Sequence, residues 1–406
     1  MAITDKYVSA TATGSGDGSS EASPWTLAQA VSSMASGQRV NIKKGTYALS
    51  SSLDPSTNGV AYRPILWRGY DTTPGDLDDK LSENITGTLS DSMPVIETNG
   101  NSVILDADFH NLIGLCFKNT VGNRPALYDR SKYGWRKNCK FLQDYSNSTN
   151  AAIDIGQDDH RTYLNCEFAA KGDANNSNDY AAKVARYGMQ FHFCYFHANG
   201  VSSSSTNSLV SNTQRFNVFN KCVFEGGSTQ LQTGSTDVTV IDCVFHNAGA
   251  DAIQVTGGSA NQYNGSNIVN CTFSEVTDYA IGNTSTSLAY ANSGIGVFNN
   301  AYYDVANKFE NMPDTQEYDD VSDTASPFED AAAGNFAIKS DSNAYSLGLG
   351  HHITLDSENF SDPSPAQNAG PPASSTPEEA GTQVFPFNQW VTPAVPEAIL
   401  HPLRSS

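Results

Sequence analysis

Short runs of alternating apolar and polar residues recur along the chain, and many of them end in the pattern Cys-x-Phe. Six copies are complete, and Cys116-Phe117 is an imperfect first one. The complete copies lie at Cys139–Phe141, Cys166–Phe168, Cys194–Phe196, Cys222–Phe224, Cys243–Phe245 and Cys271–Phe273, with successive cysteines 21 to 28 residues apart. Residues two apart share one face of a strand, and repeats of this length stack one above another. The pattern predicts a parallel β-solenoid with the Cys and Phe side chains inside.

Each repeat between about residues 103 and 305 contains two runs that favour strands. Strand A is short, as in Ala152–Ile155 and Ala252–Val255. Strand B is longer and ends in the Cys-x-Phe pattern, as in Val238–Phe245. The segment Asn299–Tyr302 continues the frame with Asn300 in the cysteine position. We therefore predict two strands in each coil and a last or nearly last coil at this segment.

The two ends of the chain differ from this repeat. We expect residues 1–45 to form a cap with a helix at 24–36, in which Ser23 is the N-cap and Pro24 the first helical residue. The apolar face of this helix would cover the open end of the solenoid. Residues 46–352 are then the solenoid body. Residues 353–406 are rich in proline, which rules out a continuous sheet element, so we expect an extended arm that is disordered or packs along the body or a neighbour.

Composition and charge narrow the classes of partner. The chain has 406 residues and a formal net charge of −20, with its Lys and Arg residues scattered, which argues against nucleic acid. No apolar run of about 18 residues is present to span a bilayer. The start of the chain lacks the basic and apolar segments of a secretory signal. We expect a protein that is made in a cytoplasm.

The seven cysteines are an odd number, which in a secreted protein would suggest disulfides or a loose thiol. In a solenoid they would lie along a line in a dry interior, where free Cys behaves as a small apolar residue. A zinc site needs ligands that converge on one point. We therefore predict reduced thiols rather than disulfides or zinc ligands, and we predict no cofactor.

Several segments together resemble the right-handed parallel β-helix family of pectate-lyase-like proteins, over roughly residues 5 to 350. They are Tyr7-Val8-Ser9 through Gly18, Pro24-Trp25-Thr26-Leu27, Gly45-Thr46-Tyr47, the Asn-Cys-x-Phe coils, and Phe328 to Gly350. The resemblance implies an all-β, single-stranded right-handed parallel β-helix. It does not choose an activity, because this scaffold carries lyases, hydrolases, epimerases, adhesins and phage tailspikes.

The resemblance also implies a groove whose floor is the outward side of one sheet, where carboxylates bind calcium or act as acid and base. Strand A is the candidate for this sheet. Its apolar residues should face inward, which leaves Asp154, Gln230, Gln232 and Gln254 as the outward groove residues. One carboxylate among amides is not a catalytic pair.

Two places near strand A are candidates for catalytic chemistry, one in the turn after Ile155 and one at Asp251. Asp158 and Asp159 could hold a cation such as Ca²⁺, and Arg161 could act as a base or bind a uronate, by analogy with lyases of the family. The alternative is a solvated turn, which is favoured because adjacent turn residues point in different directions. Asp251 looks like an Asp of pectin hydrolases of this fold, but Ala250 replaces the first Asp of their adjacent pair.

Two classes of function remain. The first is a virion structural protein of a phage: a head decoration, fibre or tailspike-like protein that assembles particles or attaches to host surface glycans. It would be a homotrimer that contacts other virion proteins through the 353–406 arm. The second is a polysaccharide lyase or glycoside hydrolase that acts on an acidic polysaccharide. A third hypothesis is a glycan-binding module that does not cleave its ligand.

Overall fold

The computed structural model describes most of the chain up to residue 354. The described residues are 3–78, 92–145, 151–156, 160–170, 180–198, 208–234, 237–256, 266–283, 295–310, 316–318, 321–323, 325–330, 335–342 and 353–354. Strands dominate, which confirms the all-β class. Asp158, Asp159 and residues 355–406 lie outside the described part, so the expectations for them stay predictions.

The strands are short and evenly spaced. The N-terminal part contains β1 (Thr4–Val8), α1 (Leu27–Ser33), β2 (Gln38–Lys43), β3 (Gly45–Ala48), β4 (Ile65–Tyr70), β5 (Pro94–Glu97), β6 (Ile104–Leu105), β7 (His110–Ile113) and β8 (Cys116–Asn119). The central part contains β9 (Leu127–Asp129), β10 (Trp135–Lys137), β11 (Lys140–Gln143), β12 (Ile153–Ile155), β13 (Thr162–Leu164), β14 (Glu167–Ala170), β15 (Ala182–Val184), β16 (Gln190–His192), β17 (Tyr195–Ala198), β18 (Ser208–Asn212), β19 (Val218–Asn220), β20 (Val223–Glu225), β21 (Thr229–Thr233), β22 (Thr239–Ile241), β23 (Val244–Ala248), β24 (Ile253–Val255) and β25 (Asn267–Val269). The C-terminal part contains β26 (Thr272–Asn283), β27 (Gly296–Phe298), β28 (Ala301–Phe309), β29 (Gln316–Tyr318), β30 (Val321–Asp323), β31 (Phe328–Asp330), β32 (Asn335–Ile338) and β33 (Ile353–Thr354).

Two long parallel sheets form the body. Sheet I has the order β1-β2-β4-β7-β10-β13-β16-β19-β22-β25-β27-β29. Sheet II contains two stacks of strands, which we call column IIa (β3, β5, β8, β11, β14, β17, β20, β23, the starts of β26 and β28, and β30) and column IIb (β6, β9, β12, β15, β18, β21, β24 and the ends of β26 and β28). In the central part each coil runs from IIb to I to IIa, as in β12, β13 and β14. This is a parallel β-helix.

The prediction of two strands in each coil is wrong, because the predicted strand B is two strands. They separate at the residue before the cysteine, which adopts a left-handed conformation, with φ of 53° at Asn138, 55° at Asn165 and 53° at Asp242. This residue turns the chain from sheet I into column IIa. Asn tolerates this conformation better than most residues, and Asn165 also donates a 2.7 Å hydrogen bond to the side-chain oxygen of Asn138 in the previous coil. An Asn before the cysteine is therefore a sequence signal for this corner. Other coils have Asp, Lys or Phe in that position, so the signal does not mark every corner.

The predicted phenyl column is confirmed. Each Phe of the Cys-x-Phe pattern is buried and stacks on its equivalent in the next coil. Phe168 and Phe196 have ring centroids 4.6 Å apart, and Phe196 and Phe224 are 4.9 Å apart. Tyr163, Phe191 and Phe219 of sheet I form a second stack that meets the first mostly edge-on. The core is thus a pair of aromatic stacks that run along the helix axis.

Six of the seven cysteines lie in a column beside the phenyl rings, as predicted, and all seven are buried and free. The thiol of Cys194 lies 3.5 Å from the carbonyl oxygen of Tyr163 in the previous coil, and equivalent contacts recur along the column. Cys116 does not belong to it. Cys116 pairs with Lys140 rather than with Cys139, so it occupies the middle position of the pattern and packs against Leu77 and Met93.

The N-terminal helix packs on the core as expected, but it begins later than predicted. Its N-cap is Thr26, not Ser23, because the Thr26 and Gln29 side chains form a reciprocal capping box. Trp25 instead bridges to Val8 in a strand conformation. Strands β1 and β2 already pair within sheet I, so the first coil begins inside the segment assigned to the cap.

The C-terminal end adds one partial coil, in which β29 and β30 pair with β27 and β28. Asn300 takes the cysteine position as predicted and accepts a 2.8 Å hydrogen bond from the Cys271 amide. Strands β31, β32 and β33 then form a small antiparallel sheet, and Phe328 contacts His246 edge-on. Among the described residues, no helix is both long and apolar enough to cross a membrane.

Candidate functional site

The outward positions of column IIb form one straight row, which we call the IIb ladder. After Ile104 of β6, strand register places seven residues in it: Tyr128, Asp154, Lys183, Ser211, Gln232, Gln254 and Gly282. Successive positions are about 4.8 Å apart in parallel strands. Lys183 is exposed, and Tyr128, Asp154, Gln232 and Gln254 are partly exposed. The ladder is therefore a polar surface that a linear ligand could follow.

The first half of the ladder carries its charged groups. Asp154 lies between Tyr128 and Lys183 in adjacent coils. The Arg130 guanidinium lies over the Tyr128 ring, 4.9 Å from its centroid. Burial raises the pKa of Asp154, and the positive charges of Lys183 and Arg130 oppose this rise. Arg130 also pairs with Asp106, with 3.9 Å between Nε and Oδ1. Two cations and two carboxylates thus share this surface on a chain that is strongly acidic overall.

The second half of the ladder consists of two amide side chains and a glycine, Gly282, that lies close to the Asp251 carboxylate. Gln232 donates a 3.0 Å hydrogen bond to Gln254. Gln254 donates a 3.2 Å hydrogen bond to Asp251, which also accepts one from the Tyr279 amide. A Cβ atom at Gly282 would lie 2.5 Å from Asp251 Oδ2, so a larger residue there would displace this carboxylate. Burial raises the pKa of Asp251, and its hydrogen bonds give it a structural role in this end of the ladder.

The expectation that Gln230 lies in the open groove is wrong. Its side chain is fully buried, and its amide donates to the carbonyl oxygens of Phe224, Gly226 and His246. These carbonyls belong to β20, to the turn before β21 and to the next coil. Alternation along the strand predicted the same orientation as Gln232, but at the strand start the side chain satisfies the turn. Asp154, Gln232 and Gln254 do lie on the ladder, and their binding role stays a prediction.

Arg161 lies inside the β-helix and not in a solvated turn. It is buried and donates to the carbonyl oxygens of Asp129 and Gly156. It therefore cannot reach a ligand on the ladder, and its assignment as a base or uronate-binding residue is wrong. Asp158 and Asp159 fall outside the described residues.

Arg161 belongs to a buried ionic cluster that sequence analysis missed. Asp129 and Arg136 occupy core positions where neighbouring coils have Ile155 and Tyr163. Arg136 Nε donates to Asp129 at 2.8 Å, and the Tyr163 hydroxyl donates at 2.7 Å. Burial alone would raise the pKa of Asp129, but the two guanidinium groups and these hydrogen bonds hold it below its usual value. The cluster stabilises the core rather than forming a site.

A calcium site does not fit the described part of the ladder. Ca²⁺ needs six to eight oxygen ligands, usually with several carboxylates. Asp154 is the only carboxylate among the seven ladder residues, and Lys183 lies beside it. Within the described ranges no three Asp, Glu, His or Cys side chains are grouped to hold a metal ion.

Sequence analysis missed Tyr128 and Lys183, although a signal for them exists. Tyr128, Lys183, Ser211 and Gln232 each lie 11 residues before the next column cysteine, and Asp154 lies 12 before. Counting back from the cysteine would have found this row even in coils whose strand A is only three residues long.

No protein-family model and no curated protein sequence matches the chain. Solved structures do match. A pectate lyase, Pel9A, aligns with a TM-score of 0.61 at 13% identity, over 86% of this chain and 92% of that one. An alginate lyase from Paenibacillus sp. str. FPU-7 aligns with a TM-score of 0.52 at 12% identity, over 70% of this chain and 95% of that one.

The chain has the right-handed parallel β-helix fold of pectate-lyase-like proteins. At these identities the likeness establishes the fold and leaves the activity open. A chain named Geobacillus virus E2 ORF18 also aligns, but its TM-score of 0.38 is too low to support an argument. The resemblance seen in the sequence is therefore confirmed for the fold.

Proposed function

We propose that this chain binds an acidic polysaccharide along the IIb ladder. The main support for the proposal is the arrangement of Tyr128, Asp154 and Lys183 in adjacent coils, with Arg130 over the tyrosine ring. A chain of net charge −20 repels an anionic polymer over most of its surface. Docking is then favoured where exposed cations lie beside an aromatic ring and hydrogen-bonding amides. Pectate and alginate, which occur in the names of the two structural neighbours, are both polyuronates.

Cleavage by β-elimination is the catalytic form of this proposal. In that reaction a base removes the proton from the carbon beside the uronate carboxylate, and the bond from the adjacent carbon to the glycosidic oxygen breaks. The oxygen leaves with the electron pair and takes a proton, and the sugar keeps a carbon–carbon double bond. Lys183 is the ladder side chain whose nitrogen could take the proton. The Arg130 guanidinium, which lies 3.9 Å from Asp106, could pair with the uronate carboxylate.

Binding without turnover is the second form, and the rest of the ladder favours it. Gln232 and Gln254 are partly exposed and can hydrogen-bond sugar hydroxyls, whereas Ser211 is buried, and none of the three supplies a second acid or base. A glycan-attachment protein of a phage particle would need only such binding. The virion location, the trimer and the contacts of the 353–406 arm remain proposals of the sequence analysis.

Incubation of the purified chain with polygalacturonate and with alginate tests both forms. Binding is measured by calorimetry, β-elimination by the ultraviolet absorbance of the unsaturated product, and hydrolysis by new reducing ends. Lys183→Ala should weaken binding, whereas Lys43→Ala, which removes a partly exposed lysine of sheet I paired with Glu21, should not.

The conservative variant separates the two forms. Lys183→Arg keeps the positive charge but cannot act as a base near neutral pH, because the guanidinium stays protonated. Retained binding with lost elimination supports catalysis by Lys183. Binding with no product in the wild-type chain supports attachment alone. If the wild-type chain binds neither polymer, the proposal is wrong.

A further inference from the structure

A buried ion pair lies on the outward side of column IIa, away from the core. Lys140 of β11 and Glu167 of β14 are partners in adjacent coils, and each is the middle residue of a Cys-x-Phe pattern whose Cys and Phe face inward. The Lys140 Nζ atom lies 2.6 Å from Glu167 Oε2, and the two side chains are only 1% and 2% exposed. The pair therefore lies outside the aromatic core and is still shielded from water.

Other coils show that the fold does not require charges at these positions. The same outward row continues to Val223 and Val244, which are also buried. Removing two charges from water costs free energy that their mutual attraction repays only in part, and apolar side chains of similar volume are often at least as stable. A reaction that removes both charges would remove this cost.

The contact between the two groups has a geometry that suits such a reaction. Because a carbon–oxygen bond is about 1.23 Å long, Nζ lies within about 3.8 Å of the Glu167 carboxyl carbon. Reacting atoms held ready for attack are about 3–3.5 Å apart. Glu167 Oε2 accepts no hydrogen bond of normal geometry from the residues that the structure describes. The Lys140 nitrogen therefore does not approach it along a usual hydrogen-bond direction.

His197 holds the second oxygen of the same carboxylate. The His197 Nε2 atom is 3.0 Å from Glu167 Oε1, and it donates a hydrogen bond when Nε2 carries the proton. The Tyr195 ring stacks on this imidazole, with centroids 4.3 Å apart and an interplanar angle of 11°, and the Tyr195 hydroxyl donates to Glu225. A fixed donor thus lies at the oxygen on which negative charge would develop if Nζ attacked the carboxyl carbon.

We propose that Lys140 and Glu167 condense to an isopeptide bond, which links two adjacent coils covalently. Within the contact, one proton moves from the ammonium group to Oε2, which leaves an amine and a carboxylic acid. The electron pair of the amine then forms the Nζ–Cδ bond, and the π pair of the carbonyl moves onto Oε1, where His197 stabilises the charge.

The second step releases water. The electron pair on Oε1 returns to the carbon as the Cδ–Oε2 bond breaks, and Oε2 leaves as water with its own proton and one from the nitrogen. The products are an uncharged amide and one water molecule, so the reaction needs no oxidant, reductant or cofactor. The inference does not depend on the proposed function.

Intact mass spectrometry of the purified full-length chain, under denaturing conditions, tests the bond. We expect the wild-type mass to be lower than the mass of its sequence by one water molecule. Lys140→Arg should have the full mass of its sequence, because the guanidinium stays protonated and does not condense. Comparison of the two chains also cancels any removal of the first methionine.

Lys118→Arg is the matched control. Lys118 pairs with Asp144 at 3.1 Å in neighbouring strands of the same column, but these side chains are 19% and 37% exposed. Water reaches this pair, so we expect no condensation there, and the control should keep the mass deficit of the wild-type chain. Tandem mass spectrometry of a digest should show one branched peptide that joins the segments of Lys140 and Glu167.

The outcomes are distinct. A wild-type chain with the full mass of its sequence overturns the proposal, and this result does not depend on the folding of any variant. A mass deficit that persists in Lys140→Arg, with circular dichroism showing a folded chain, also overturns it. His197→Ala should leave a large fraction of the chains without the bond, and complete condensation in this variant would contradict the role of His197.

Discussion

Replacing Phe196 by alanine should strongly destabilise the β-helix. Phe196 is fully buried and stacks on Phe168 at 4.6 Å and on Phe224 at 4.9 Å. It also contacts Phe191 and Phe219 edge-on at 5.6 and 6.1 Å. Truncation of a buried Phe to Ala costs about 3–5 kcal/mol, and each aromatic pair adds roughly 0.5–1.5 kcal/mol beyond burial. Four such pairs are lost, so we expect the free energy of unfolding to fall by at least about 5 kcal/mol, the sum of the two lower bounds.

Equilibrium unfolding in guanidinium chloride, followed by circular dichroism, measures this change. Phe216→Ala is the matched control, because its ring is exposed and its loss should change the free energy of unfolding by less than about 0.5 kcal/mol. Phe196→Leu keeps an apolar side chain and should fall between the two. A loss below about 2 kcal/mol for Phe196→Ala, or a loss equal to that of Phe216→Ala, would refute the stacked core.

Three further predictions concern buried ionisable groups. Asp129→Ala should lower the free energy of unfolding by about 3–5 kcal/mol, because it leaves Arg136 buried without its partner. The pKa of Asp129 is lowered in the folded chain, so its contribution to stability is present above roughly pH 3.9 and is lost as the pH falls through the folded pKa. Unfolding measured as a function of pH in acid should show this loss. Burial raises the pKa of the Cys116 thiol to about 12, so this and the six column thiols should resist a thiol reagent until the chain unfolds, and fast labelling of the native protein would contradict the packing. Burial lowers the pKa of His110 to about 4, so the free energy of unfolding should decline as the pH falls from roughly 6.5 to 4. In His110→Gln the free energy of unfolding should depend less on pH over this range.

His110 has a defined tautomer that makes the last prediction specific. Trp67 Nε1 donates to His110 Nδ1 at 3.0 Å, so Nδ1 must be unprotonated. Nε2 then carries the proton and donates to the Thr57 carbonyl oxygen at 2.8 Å. Nitrogen chemical shifts of this imidazole should therefore show the Nε2–H form near neutral pH.

The stacking of the coils was predictable from the Cys-x-Phe spacing, because a buried column repeats its residue type at every turn. The number of strands in each coil was not. In Thr239–Val244 the inward positions shift by one residue between Val240 and Cys243, but the apolar Ile241 hides this break in the sequence. The left-handed conformation of Asp242 ends one strand there and begins the next. Cys116 shows the same limit, because a shift of one residue in register moved it out of the column.

The candidate site was predictable only in part. Asp154 and Gln254 alternate with buried apolar residues, so their outward direction followed from the pattern. Gln230 has the same pattern, but the carbonyl groups of an adjacent turn hold its amide inside. The sequence around Arg161 is typical of a turn, and only the three-dimensional packing shows its contact with Asp129. Such contacts between coils depend on register, which local sequence does not specify.

A crystal structure of the chain with a trigalacturonate or an alginate trisaccharide bound tests the central claim most directly. We predict sugar density along the IIb ladder, with a carboxylate within about 4 Å of the Lys183 ammonium group, a usual distance for an ion pair. An oligosaccharide seated on another face, with Tyr128, Asp154 and Lys183 open to solvent, would contradict it.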